Sequence, residues 1–223
     1  MKISLNNAIS LDGKISTVER KKIRLSSQND RELMSQYRLQ ADAVLVGRGT
    51  LEIDDSPILI YYPKPGQESK PPLNVVVSRS LNFQPEKLKF FQESSTKKLV
   101  FTSIHTPQER VAHVQQYAQV MQIEESKKGV LNPLQIIDEL RKLGVNSLLL
   151  EGGGTLNASF LEEGLVDEIH LTLCPLIVGG GKAPTFFDGE GLSAEQLQHF
   201  TLTSMEEGAP GEFFFTYQKD TSP

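Results

Sequence analysis

The chain has 223 residues, 38% of them hydrophobic, and a formal net charge of −5. That size and composition suit one α/β domain spanning residues 1–223. No apolar run approaches the roughly 18 residues that a membrane-spanning helix needs, and the acidic balance speaks against the broad basic face of a nucleic-acid binder. Residues 1–8 mix polar and apolar side chains and lack the apolar centre of a signal peptide, so a cytoplasmic location is expected. Cys174 is the single cysteine, which rules out an intramolecular disulfide and a cysteine-rich zinc site. His105, His113, His170 and His199 form no His-x-x-x-His pair, so no metal is expected.

In chain order, residues 2–9 read as a strand. Residues 29–40 read as a helix after a Ser26-Ser27 start, with Leu33 and Tyr37 on one face and Met34 and Ala41 flanking. Residues 42–47, 74–78 and 99–102 are short apolar strands. Thr106 is expected to open a helix over 107–117. Asn132-Pro133 opens the next, with the apolar spacing 134, 137, 140, and Gly144 ends it. A strand over 146–150 leads through three glycines into a helix over 155–163. Residues 166–173 and 213–217 read as further strands, the last ones as antiparallel edges. His170 and Cys174, in or beside one of these strands, are read as packed and not catalytic. Short apolar strands alternating with helices predict an α/β fold with a mostly parallel sheet and helices on both faces. Residues 62–72 and 179–191 are read as long irregular loops.

Four segments carry candidate chemistry. Glu151-Gly152-Gly153-Gly154-Thr155 sits between a strand and a helix. Glycines there let backbone N–H groups approach a phosphate, and the helix start adds favourable potential. Glu151 adds a carboxylate at a strand end, where open α/β sheets bind ligands. Gly47-Arg48-Gly49-Thr50, with Asp54 just beyond, and Ser78-Arg79-Ser80 also follow strands. A hydroxyl beside an arginine suits a phosphate monoester. Asp12-Gly13-Lys14 is a turn that sends out a cation. Each segment alone is compatible with an ordinary turn. Together they indicate a dinucleotide-binding α/β protein without naming a reaction.

The chain carries SLDGK at 10–14, Arg38, DAVLVGRGT at 42–50, Asp54-Asp55, NVVVS at 74–78, LLEGGGTLNASFLEEGLVDE at 149–168 and PLIVGGGKAPTFFDGEG at 175–191. Their order and spacing resemble the reductase family of riboflavin biosynthesis over essentially the whole chain. The resemblance implies a dihydrofolate-reductase-like fold, NADPH as cofactor and a homodimer. It also implies reduction of a phosphorylated ribosylamino-pyrimidine, either the aminated or the deaminated form, by hydride transfer to C1′ of the opened sugar. It further implies that Thr50, Asp54, Ser78 and Arg79 meet the cofactor, that Gly152, Gly153, Gly154 and Thr155 cradle its diphosphate, and that Lys14, Arg38 and Glu151 face the substrate.

Two departures fall on the substrate side. Tyr62 stands near the place where many relatives carry an arginine, and Arg24 is the nearest match to a tryptophan that often precedes the first helix. The zinc signature of nucleobase deaminases is absent, so reduction alone is expected. Two other readings stay open. One is a dihydrofolate-reductase-like enzyme for another heterocycle, using an acid on the first helix such as Asp30 or Glu32. The other is a non-catalytic NADP-binding homologue.

Overall fold

Strands that are apolar on both faces need helices above and below them, and a parallel sheet supplies that setting. In the computed structural model, which describes residues 1–61 and 70–220, those strands occupy the middle of one sheet. The elements run β1 (Lys2–Ser10), α1 (Gln28–Gln40), β2 (Ala43–Gly47), α2 (Arg48–Asp54), β3 (Leu73–Val77), α3 (Lys89–Gln92), β4 (Lys98–Ser103) and α4 (Gln108–Val114). Then come β5 (Gln119–Ile123), α5 (Pro133–Lys142), β6 (Ser147–Leu150), α6 (Gly154–Glu162), β7 (Glu168–Cys174), β8 (Phe200–Glu207) and β9 (Phe213–Lys219). Among the described residues the sheet has nine strands in the order β5-β4-β3-β2-β6-β1-β7-β9-β8. Pairing is parallel from β5 through β7 and antiparallel where β9 meets β7 and β8. No described helix is long and apolar enough to cross a membrane.

Alternate side chains feed two cores. Ile3, Leu5, Leu45, Val75 and Leu150 pack with Ile136, Ile137 and Leu140 of α5 and Phe160 of α6 on one face. On the other, Val44, Val46, Val76 and Val100 pack with Phe90, Phe91 and Val111 of α3 and α4. Burying chains of this size contributes about 1.5–3 kcal/mol each, which accounts for the firmness of the central strands.

Several local expectations are corrected. Arg48 follows β2 directly into α2, so the Gly47–Thr50 stretch is a helix start and not an open turn. The helix after β4 begins at Gln108, with Pro107 and not Thr106 at its cap; the Thr106 hydroxyl instead bonds that of Thr102 at 2.7 Å. Helix α1 begins at Gln28, capped by the Ser27 hydroxyl. Its buried residues are Asp30, Ser35 and Arg38 and not Leu33 and Tyr37, because this helix turns a polar side to a cleft. Strands β5 and β8 were unexpected. They are the two edges of the sheet, where the mixed sequences QVMQI and FTLTSMEE suit strands with one solvated side, whereas the expected edge strands at 166–173 and 213–217 are interior, β7 lying parallel to β1 and β9 antiparallel between β7 and β8. As expected, His170 and Cys174 are buried, with His170 stacked on Tyr37 at 3.9 Å.

Candidate active site

The C-terminal ends of β1, β2, β3 and β6 open onto one cleft of about 1110 Å³. This is the edge where open α/β sheets take ligands, near the point at which strand order reverses. Here β3 to β5 extend on one side of β2, and β6 and β1 lie on the other.

The wall formed by β2, β6 and α6 is largely backbone. The Glu151 N–H donates to the Leu45 carbonyl at 3.0 Å, and the Gly47 N–H to the Gly152 carbonyl at 2.8 Å, so the glycine turn is laced to β2. Gly152 has φ +82°, in the left-handed region that favours glycine. Helix α6 then starts at Gly154 with no side-chain cap and no acid in its first turn. Its first N–H groups therefore lack the usual side-chain acceptor and carry the positive end of the helix dipole. Gly153, Gly154 and Thr155 line the cleft there. Thr50, on α2, stands so close that a Cβ on Gly153 would lie 3.4 Å from its hydroxyl.

Beside the glycine turn, the cleft is lined by side chains. Arg38 and Glu151, 113 residues apart, form a two-pronged ion pair at 2.6 and 2.7 Å, both side chains 8% exposed. Arg38 also donates to the Leu59 carbonyl at 2.9 Å. Burial alone would lower the Arg38 pKa, but the Glu151 charge and hydrogen bonds outweigh it and raise the pKa, so the guanidinium stays charged. Asp30, on the same helix, accepts from the hydroxyls of Ser26 and Thr172, both at 2.6 Å. Burial raises its pKa, with Glu212 and Glu151 adding to the rise against those hydrogen bonds. Asp54 lies at the cleft mouth. Its side chain is exposed, yet the surrounding protein strips enough water from the carboxyl to raise its pKa, against the pull of Lys22 and Arg38.

Of the residues singled out in the sequence, Arg38, Thr50, Asp54, Arg79 and Glu151 line the cleft along with residues 153–155. Three do not. Gly152 faces Asn7 behind the turn. Ser78 is buried, and its hydroxyl accepts from the Leu81 N–H at 3.2 Å, shaping the bend that follows β3. Lys14 stands beside the lining, its ammonium on the Ala183 carbonyl at 3.3 Å. The turn that carries it is tied to the loop after β7, where Asp12 accepts from the N–H groups of Val178 and Gly179 at 3.0 and 2.8 Å. Tyr62 lies outside the described residues. No local signal pointed to Asn7, which accepts from the Asn157 amide at 2.7 Å, or, apart from Arg24, to the cations of residues 20–31 that line the cleft.

Residues 1–213 match the family model described as the RibD C-terminal domain. The chain belongs to the RibD C-terminal domain family. It is 34% identical over 195 residues to the 2,5-diamino-6-ribosylamino-4(3H)-pyrimidinone 5′-phosphate reductase of Archaeoglobus fulgidus, covering 84% of this chain and 86% of that one. The protein of the same name from Methanothermobacter thermautotrophicus is 35% identical over 192 residues, 85% of each chain. Among solved structures, RibD of Acinetobacter baumannii superposes with a TM-score of 0.78 at 21% identity, over 99% of this chain and 58% of that one. Dihydrofolate reductase from Enterococcus faecalis superposes with a TM-score of 0.52 at 14% identity, over 98% and 96%. The RibD C-terminal domain thus has the dihydrofolate-reductase-like fold expected of it, and this chain is an oxidoreductase of the riboflavin-biosynthesis reductase family.

Such a reductase implies a nicotinamide cofactor. The donor set fits one: an uncapped helix start of glycines, the Thr50 hydroxyl and the cations Arg48 and Arg79 share the cleft.

Proposed function

We propose that this RibD C-terminal domain uses NADPH to reduce a 5-phosphoribosylamino-pyrimidine to its ribitylamino form, as a homodimer in the cytoplasm. The observation that carries this reading is that an uncapped glycine helix start and a buried arginine–carboxylate pair line one cleft. The named relatives favour the 2,5-diamino-pyrimidinone form over the deaminated uracil form as substrate.

NADPH would supply the hydride that C1′ of the opened sugar accepts. Backbone N–H groups of Gly153, Gly154 and Thr155, with the Thr50 hydroxyl, would hold its diphosphate, and Gly152 would shape the turn. Asp54 would accept from a cofactor hydroxyl. Arg79 would reach the 2′-phosphate from the rim, and Ser78 would hold the bend that carries Arg79. Arg38 and Glu151 would act on the substrate as one unit. The guanidinium fixes the carboxylate, whose remaining lone pairs accept from pyrimidine N–H groups. Lys14, on the turn after β1, would steady the hydroxyls of the opened sugar.

The homodimer reading draws on the antiparallel end of the sheet. Phe213, Phe215 and Tyr217 form a row along β9, beside exposed Leu202 and Met205 of β8. Such an apolar sheet face suits a partner. A monomeric mass in sedimentation at micromolar concentration counts against it.

NADPH oxidation assayed with each pyrimidine intermediate tests the function. Turnover with the diamino form is expected, and turnover with neither form defeats the reading. Asp30, a buried acid on the cleft, favours a second reading in which another heterocycle is protonated and reduced. Dihydrofolate in the same assay separates the two.

A further inference from the structure

Among the described residues eight cations line the cleft, and most already have partners. Arg38 is locked to Glu151. Arg48 donates to the Asn82 carbonyl at 3.2 Å and lies 3.7 Å from Glu52. Arg79 donates to the Gly129 carbonyl at 2.9 Å and lies 3.8 Å from Glu125. Lys21 pairs with Glu19 at 2.7 Å, and the Lys22 ammonium donates to the Asp54 carbonyl at 2.6 Å. The remaining three are Arg20, Arg24 and Arg31. Among the described residues, no hydrogen-bond or ion-pair partner holds any of their guanidiniums.

All three line the cleft from the segment leading into α1 and from its first turn. Residues 17–27 form neither helix nor strand, yet the segment is fastened along its length. The Ser16 hydroxyl donates to the Lys21 carbonyl at 3.3 Å, Lys22 grips the Asp54 carbonyl, and Ser26 bonds Asp30. At its end, buried Glu212 accepts the Ser27 N–H at 2.8 Å and also the Ser27 hydroxyl. The backbone is thus pinned, while three arginine forks face the cleft in a protein of net charge −5. Guanidinium forks match phosphate oxygens two at a time, and a phosphate monoester carries about −1.5 to −2 charges near neutral pH.

On the reading proposed above, the glycine wall receives the cofactor diphosphate and Arg79 the 2′-phosphate. One anion is then unaccounted for, the terminal phosphate on the substrate's sugar. Arg38 is committed to Glu151, and the Lys14 ammonium is turned to Ala183. We propose that Arg20, Arg24 and Arg31 form a phosphomonoester site on the α1 side of the cleft that takes the terminal phosphate of the substrate. The inference rests on the phosphorylated-substrate reading and deepens it.

The test is kinetic, with a binding arm that does not depend on turnover. Arg20 and Arg24 are exposed, so Arg20→Ala/Arg24→Ala should fold as the parent does; Arg31→Ala and the charge-keeping Arg31→Lys are made separately. For the phosphorylated pyrimidine, KM is expected to rise about tenfold to a hundredfold in the alanine variants, and less in Arg31→Lys. The KM for the same compound without its phosphate should stay near the parental value, as should NADPH affinity. Equal changes for both compounds, or no change, overturn the site. Weakened binding of NADPH but not of NADH overturns the substrate assignment and gives the arginines to the cofactor's 2′-phosphate. If the parent reduces neither compound, the broader reading has failed, and titration with ribose 5-phosphate against ribose then judges the site alone. Equal binding of the two sugars overturns it, and a phosphate preference lost in the double variant supports it.

Discussion

One part of the cleft, residues 153–155, offers backbone N–H groups at an uncapped helix start; another, α1 and the segment before it, offers a buried acid, an arginine paired with Glu151 and three guanidiniums that have no partner among the described residues. The first wall suits what all dinucleotides share, because main-chain donors are fixed by the turn itself and are indifferent to the rest of the ligand. The second suits what distinguishes one substrate from another, because its donors and acceptors are side chains, whose chemistry differs from residue to residue. On the proposed function, cofactor and substrate would thus be held by donors of different kinds, main chain for one and side chain for the other.

The largest expected effect comes from the second wall. Arg38→Ala leaves the Glu151 carboxylate buried without its partner, which should cost about 3–5 kcal/mol of stability. Replacing both partners with Arg38→Met/Glu151→Leu should cost markedly less. Denaturant unfolding of the two variants measures this, and a single variant within about 1 kcal/mol of the parent contradicts a tightly coupled wall.

Next come the substrate-side groups as probes of chemistry. Glu151→Gln and Lys14→Ala are each expected to lower pyrimidine-dependent turnover on the order of 100-fold, as losses of positioning do, while NADPH affinity stays nearly intact. Full turnover in both variants makes these residues structural and moves the substrate site elsewhere.

The first wall and its rim should respond more weakly and through the cofactor. Arg79→Ala is expected to narrow the preference for NADPH over NADH by about tenfold. An unchanged preference in equilibrium titrations points to Arg48. Gly49 is smaller still. It lies in α2, and a Cβ there meets nothing within 4 Å, so Gly49→Ala should stabilise the fold by roughly 0.5–1 kcal/mol in thermal unfolding. A loss of stability of that size shows that the position is more crowded than its open surroundings indicate.

The smallest effect concerns the junction beside the Lys14 turn. The hydroxyl of Ser10, with the N–H of Val178, holds the Asp12 carboxyl down from 3.8 to about 2. Because the folded state binds this proton less readily, the contribution is complete above the unfolded value of 3.8 and is lost as the pH falls toward 2. The melting-temperature difference between the parent and Asp12→Asn should therefore shrink over that interval. A difference independent of pH excludes Asp12 ionisation as its source.

How much of this was legible depends on how local each signal was. The runs at β2, β3, β4 and β6 are apolar on both faces, and that pattern alone implies a covered parallel sheet. The Asn132 cap and the glycine turn at 152–154 are likewise read within a few residues. Strands β5 and β8 escaped because an edge strand keeps polar residues on its open side and blurs the alternation. Helix α1 misled for a related reason, since periodicity finds an apolar face and this helix buries Asp30, Ser35 and Arg38.

By itself, the sequence determined the α/β class, the central strands and the glycine wall, since each rests on backbone preferences and burial patterns set by neighbours in the chain. Only the tertiary structure decided that Glu151 meets Arg38 across 113 residues, that Lys14 turns to Ala183, and that Arg20, Arg24 and Arg31 line the cleft with no partner among the described residues. A charge says nothing about its partner until folding brings distant segments together. The free energy of an ion pair depends on separation and burial, and neither is written in the spacing of residues along the chain.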